Sequence, residues 1–297
     1  MTNRRNAGSG EAPLDGQAVR RSFDAASSDY DAAAVLQKEV RVRLLDRLDF
    51  VKVEPEVIVD LGAGTGHASR ALKDRYPKAQ VIALDIAQGM LVEAKRRVGW
   101  LRRFERVCAD AGRLPLKDKS VDLVVSNLML QWCDPPDAVL AEVKRILKPG
   151  GLFTFTSLGP DTLRELRVAW SKVDDRPHVH RFFDMHDLGD ALVRAGLAEP
   201  VLDVENFTLT YQDARTLMRE LKTIGARNAA RERSPGLTGR GALQVLENAY
   251  EQFRRDGVLP ATYEVVYGQA WGRLIEPRAS PEGTEIRVPV DSLRTRR

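Results

Sequence analysis

A short apolar run, Val57-Ile58-Val59-Asp60-Leu61, passes without a break into Gly62-Ala63-Gly64-Thr65-Gly66. A strand that feeds a glycine loop narrows the possible folds sharply. In an open parallel sheet, ligands bind beyond the carboxyl ends of the strands, at the point where strand order reverses. Glycines there let the backbone approach a ligand closely. The spacing also sorts the ligands. A dinucleotide fingerprint wants its third glycine where His67 stands, and no Lys-Ser/Thr pair follows to make a phosphate-cradling loop.

The rest of the chain repeats the pattern. Strands are expected at 57–61, 80–85, 106–109, 121–127 and 152–157, with helices between them through 75, over 90–98, and after Asp134-Pro135-Pro136. Pro149-Gly150-Gly151 reads as a stop for the last of these. Continuous apolar strands alternating with amphipathic helices imply an α/β fold, a doubly wound and mostly parallel sheet. Upstream, helical spacing of apolar positions predicts a helix over 32–48, and the first 17 residues read as a disordered tail. Downstream the rhythm changes. Thr162-x-x-Glu165 reads as a capping box opening a helix to Trp170. Helices are expected over 187–195, 213–224 and 241–254, and strands over 201–211 and 262–271, which makes seven strands in all. The folded domain is then 18–276, with helical cap insertions at about 158–183 and 212–258 and a basic tail at 277–297.

Acidic residues recur at successive strand ends: Asp60, Asp85 and Asp110. Asp85 is placed to accept both ribose hydroxyls, and Asp110 to accept from an adenine amino group. Three such carboxylates repel a phosphate and suit an adenosine that carries a positive charge.

Charge and cysteine content exclude several classes. The chain of 297 residues carries a formal charge of +4, but the excess lies in its two ends, and residues 22–276 are balanced. Nucleic acid is therefore not the expected partner. No apolar run is long enough to span a membrane, and the first ten residues hold no secretory signal. Cys108 and Cys133 fall in no close cluster, so neither a disulfide framework nor a structural metal site is expected, and a reducing cytoplasm fits. Within the body, 213–240 holds seven basic residues against three acidic ones, which reads either as a solvated helical face or as a surface that meets something acidic.

Over 55–157 the constellation resembles the class I S-adenosylmethionine-dependent methyltransferases. That resemblance implies that Asp60 and the backbone of Gly62, Gly64 and Gly66 hold the methionine moiety. It further implies that Asp85 holds the ribose, that Asp110 and Ala111 hold the adenine with Ile86 and Met90 flanking the ring, and that Asn127 sits beside the transferable methyl. A narrower likeness covers 20–272. Ser126-Asn127-Leu128 with Gln131-Trp132-Cys133, the run from Leu158 to Leu166, Leu221 to Ala226, Gly236 to Arg240 and Ala261 to Tyr267 resemble the malonyl-acyl-carrier-protein O-methyltransferases of biotin synthesis.

This likeness implies methyl transfer to the free carboxylate of a malonyl thioester, with acyl-carrier protein as partner. A carboxylate is already ionised at pH 7 and needs no general base, so no catalytic histidine is expected; His178, His180 and His186 read as surface or cap residues. A cation has to offset desolvation of the carboxylate. Arg181, which precedes Phe182-Phe183, is the first candidate, with Lys222, Arg164 and Arg167 as others. Tyr30 and Gln37 read either as a flap over the cofactor or as packing, and Trp132 either as channel wall or as core. The basic stretch at 213–240 reads as the carrier's docking surface, with Arg227 and Arg231 in it. Two other readings stand beside this one: a relative of the complex I assembly factor that acts on a protein arginine, and a non-catalytic module that only binds the cofactor.

Overall fold

The computed structural model describes residues 14–226 and 239–274. In chain order the elements are α1 (Gly16–Ala26), α2 (Tyr30–Ala33), α3 (Val35–Asp46), β1 (Val57–Leu61), α4 (His67–Arg75), β2 (Gln80–Asp85), α5 (Gln88–Ala94), β3 (Glu105–Cys108), β4 (Val121–Ser126), α6 (Asp137–Ile146), β5 (Leu147–Leu158), α7 (Arg164–Trp170), α8 (Met185–Arg194), β6 (Ala198–Tyr211), α9 (Ala214–Thr223), α10 (Arg240–Tyr250) and β7 (Leu259–Trp271). The seven strands form one sheet in the order β3-β2-β1-β4-β5-β7-β6. β1 to β5 pair in parallel, and β7 runs antiparallel to both β5 and β6. The mostly parallel, doubly wound sheet expected from the sequence is the one observed. Strand order reverses between β1 and β4, so the carboxyl ends of these two strands flank the ligand crevice.

The central strands β1, β2 and β4 bury both faces, which is why they read as unbroken apolar runs, whereas the outer strands β3 and β6 do not. Ile58 packs with Leu44, Leu72 and Leu123 on one face. Val59 and Leu61 pack with Leu140, Val143 and Phe153 on the other. Each fully buried side chain of this kind contributes about 1.5–3 kcal/mol. Asp60, on the same face as Ile58, is the exception in β1 and is 1% exposed.

Several expectations are corrected. The single helix over 32–48 is broken at Ala34 (φ −83°, ψ 49°), so α2 and α3 are separate. β5 begins at Leu147 rather than at 152, because Leu147 already pairs with Val121 before an irregularity shifts the register to Leu123–Leu152. Pro149-Gly150-Gly151 therefore lies inside the strand. The capping box does not form either. Thr162 Oγ1 donates to the carbonyl of Glu264 and accepts from its N–H, both at 3.1 Å, and Glu165 accepts from the N–H and hydroxyl of Thr262. Both side chains stitch α7 to β7 instead of capping α7, because the buried edge of β7 supplies better partners than the helix's own first turn.

Helix α1 had no counterpart in the sequence reading. Asp15 caps it by accepting from the N–H groups of Gln17 (3.0 Å) and Ala18 (3.2 Å). Asp24 accepts from the N–H of Gly89 at 2.8 Å, and the Ser22 hydroxyl donates to the carbonyl of Gly225 at 3.0 Å. The N-terminal helix is thus tied to α5 on one side and to the end of α9 on the other. Among the described residues no helix is long and apolar enough to cross a membrane.

Candidate active site

Three cavities meet at the carboxyl ends of β1 and β4. The first, of about 430 Å³, is bordered by Asp85, Ile86, Met90, Asp110 and Ala111. A second, of about 520 Å³, is bordered by Asp60, Arg41, Arg97 and Gln37. Gly62, Gly64 and Asn127 border both, so the two form one trough across the glycine loop. The third is small, about 100 Å³, and mostly apolar; Leu36, Leu163, Leu166, Phe182, Leu221 and Ile224 border it. Tyr30 is common to all three, and Phe23, Leu128 and Trp132 border the third as well as the first.

The glycine loop earns its composition locally. Gly62, Gly64 and Gly66 all have positive φ (76°, 54° and 82°). A Cβ on Gly62 would stand 2.3 Å from the Met129 side chain, and one on Gly66 would stand 2.8 Å from Ala94. Gly64 differs. A Cβ there would meet no protein atom within 4 Å, so backbone conformation and the trough it borders set its identity. Gly66 borders neither part of the trough and serves packing between α4 and α5.

The acidic strand ends behave differently from one another. Asp85 Oδ2 accepts from the Gly64 N–H at 2.8 Å, and its Oδ1 accepts from the Ala87 N–H at 2.8 Å. It therefore braces the glycine loop, while burial raises its pKa. Burial likewise pushes Asp60 up to about 6, against the opposing hydrogen bond from the Ser69 hydroxyl. Asp110 is exposed and accepts from the Gly112 N–H at 2.8 Å. Two buried carboxylates that resist ionisation when alone are suited to a cationic ligand, whose charge restores their ionised form.

Sequence reasoning missed Arg41 and Arg97. Both border the Asp60 end of the trough. Arg97 donates to the carbonyl of Thr65 at 2.9 Å and pairs with Asp31, which accepts in turn from the Thr65 hydroxyl at 2.7 Å. Arg41 follows Gln37 by one helical turn on α3, and that spacing was the available signal. Asn127 follows β4 and borders both parts of the trough. Its Nδ2 donates to the carbonyl of Gln37 at 3.1 Å, and its Oδ1 accepts from the Thr156 hydroxyl at 3.1 Å.

Trp132 is half-buried and borders the first and third cavities; its ring meets Phe23 edge-on at 5.2 Å and His180 at 4.9 Å. The histidines diverge. His186 is exposed beside Asp184, and His178 stacks on Trp170 at 3.7 Å. His180 is only 8% exposed and borders the small cavity. Among the described residues that cavity has no Lys or Arg on its border. Arg181 is exposed and its charge acts on Asp134; Arg164 is exposed beside Asp161 and Glu165; Lys222 is exposed on α9. Arg167 donates to the carbonyls of Pro160 and Thr162 at 3.0 and 3.1 Å. In the basic stretch, Arg215 pairs with Glu247, whereas Arg227, Arg231 and Arg233 lie outside the described residues.

Known proteins agree with this geometry. Residues 59–155 match the family described as a methyltransferase domain. Among solved structures, the phosphoethanolamine N-methyltransferase 2 of Haemonchus contortus in complex with S-adenosyl-L-methionine is 18% identical with a TM-score of 0.55, over 86% of this chain and 60% of that one. A [4+2]-cyclase is equally close in fold (TM-score 0.56, 17% identity, 89% and 100% coverage), so the fold alone does not fix the reaction. Sequence is more discriminating. The malonyl-[acyl-carrier protein] O-methyltransferase of Methylovorus sp. is 57% identical over 87% of this chain and 89% of its own length. That of Legionella pneumophila is 39% identical over 92% and 95%. With identities of 39–57% over most of both chains, the chain belongs to the malonyl-[acyl-carrier protein] O-methyltransferase family.

Proposed function

We propose that this chain transfers the methyl group of S-adenosylmethionine to the free carboxylate of a malonyl thioester borne on acyl-carrier protein, an early step of biotin synthesis in the cytoplasm. The convergence of a two-part acidic trough and a dry third cavity on Tyr30 is the observation that carries the reading. The residues fit the methyl donor. Asp85, Asp110, Ala111, Ile86 and Met90 would hold its nucleoside, and Asp60, Arg41 and the Gly62–Gly64 backbone its amino-acid end. When bound, the donor supplies an electrophilic methyl on a sulfonium.

The protein's own work is alignment and exclusion of water. Phe23, Trp132 and Phe182 keep the acceptor's chamber apolar; Tyr30 borders all three cavities, and Asn127 borders both parts of the trough. Holding an ionised nucleophile in line can supply about 7–11 kcal/mol of a barrier without any general base. Arg164, Arg181 and Lys222 remain the proposed cations for the malonyl carboxylate. Each stands outside the border of the small cavity, so any of them meets the carboxylate only after a side chain or the cap rearranges. The carrier, with its cargo on a phosphopantetheine arm, is an acidic protein that the exposed Arg219, Lys222 and Arg240 would attract.

The test is direct. The protein is incubated with methyl-labelled S-adenosylmethionine and malonyl-acyl-carrier protein. Label in a methyl ester on the carrier is the expected result. Binding of the donor without turnover would favour a non-catalytic module, and label in a protein arginine would overturn the reading.

A further inference from the structure

Two residues that border the small cavity each carry a buried polar atom with no hydrogen-bond partner in the protein. Gln131 is 5% exposed, and its Nε2 donates to the carbonyl of Leu128 at 2.7 Å. That bond fixes the orientation of the amide, since the reverse would set two oxygens against each other. It leaves Oε1 buried and unpaired. His180 is 8% exposed, held between the rings of Trp132 (4.9 Å) and Phe182 (4.6 Å), and its Nε2 is likewise buried and unpaired. Burial and the nearby Arg167 push His180 down to about 4, so the imidazole is neutral and one of its nitrogens carries a proton. Buried polar atoms left unpaired are rare and call for an explanation.

The chemistry of the two atoms selects a ligand. Gln131 Oε1 can only accept, so a carboxylate beside it is repelled. In the tautomer that carries its proton on Nε2, His180 can donate. One acceptor and one donor in a mostly apolar chamber match a secondary amide, which offers an N–H and a carbonyl on opposite sides of one plane. On the proposed substrate such an amide lies along the pantetheine arm, about six bonds and ~7 Å from the reacting carboxylate. The carboxylate then lies toward Tyr30 and Asn127, and the arm passes Trp132.

Resting on the function proposed above, we propose that Gln131 and His180 are specificity-determining residues that read the amide of the thioester arm: Oε1 accepts from its N–H, and Nε2–H donates to its carbonyl.

The experiment compares two small substrates, the malonyl thioester of N-acetylcysteamine, which has the amide, and that of pentanethiol, which lacks it. The readout is the ratio of their kcat/KM values in the full-length protein. The wild type should favour the amide thioester by about tenfold or more, since a site with buried polar partners rejects an analogue that leaves them unpaired. Gln131→Met and His180→Phe should each bring the ratio toward one, and His180→Gln, which keeps a donor at the same reach, should restore part of it. Unchanged affinity for S-adenosylmethionine shows that the variants are folded. If both substrates decline in parallel and the ratio holds, the pair is packing and this inference is overturned, while the parent reading stands. If the wild type methylates neither thioester nor malonyl-acyl-carrier protein, the parent reading itself has failed.

Discussion

Asn127, at the end of β4, is bonded across the crevice to Gln37 on α3: its Nδ2 donates to the main-chain carbonyl of Gln37 at 3.1 Å. The Thr156 hydroxyl fixes the other end of the amide at 3.1 Å. One side chain therefore joins the carboxyl end of β4 to helix α3 across the trough. Asn127→Ala removes both bonds, each worth about 0.5–1.5 kcal/mol. The expected result is an affinity for S-adenosylmethionine weakened by about tenfold in titration calorimetry. Faster amide exchange over residues 30–37 should accompany it, and unchanged exchange would disprove the tie.

Asp60 makes donor binding depend on pH. Buried and beside Asp85, it is raised to about 6, so in the free protein it is neutral below that pH. A cationic ligand favours its ionised form. Affinity should therefore increase as pH rises through about 6 and decline by up to about tenfold per unit below it. Asp60→Asn should flatten this dependence between pH 5 and about 7. A wild-type profile that is already flat there would refute the coupling.

Arg41 borders the Asp60 end of the trough, where the proposed function puts the donor's amino-acid group, and its charge acts on Asp60 and Asp31. A charge-assisted hydrogen bond to a carboxylate is worth about 1.5–3 kcal/mol. Arg41→Met should weaken S-adenosylmethionine binding by about 10–100-fold. Adenosine, which has no carboxylate, should bind both proteins equally; a parallel loss for both ligands would place Arg41 elsewhere in the recognition.

His180 shapes stability below neutral pH. In the fold it stays neutral down to about 4, whereas the unfolded chain takes up a proton near the ordinary histidine value of 6.5. The unfolded state thus binds more protons between those limits, and stability from this residue is lost as pH falls from 6.5 toward 4, by at most about 3 kcal/mol. Asp60 acts in the opposite sense over much of the same window, because its raised pKa makes the fold the better proton binder. The informative measurement is the difference in urea midpoint between wild type and His180→Phe from pH 7 to 4.5. That difference should shift in favour of the variant as the pH falls.

The glycine loop, the strands and the acidic strand ends were legible because local rules fix them. β-branched runs, loop glycines and terminal carboxylates are written within a few residues of where they act. Arg41, His180 and Gln131 were not legible. Arg41 is one turn past a residue already singled out, but nothing local says that α3 turns that face to the glycine loop. Glu165 shows the same limit from the other side. Its spacing from Thr162 satisfied a local motif, and the structure used both residues to hold β7, 97 positions away for Glu165 and Thr262.

By itself the sequence determined the alternation of strands and helices from β1 onward and the glycine loop, since periodicity and residue type are properties of short segments. Only the tertiary structure decided which polar atoms are buried without a partner beside the small cavity. Burial and hydrogen-bond satisfaction depend on elements far apart in the chain. The free valences of Gln131 and His180 exist only once β4, α7 and the segment after it have closed on one another.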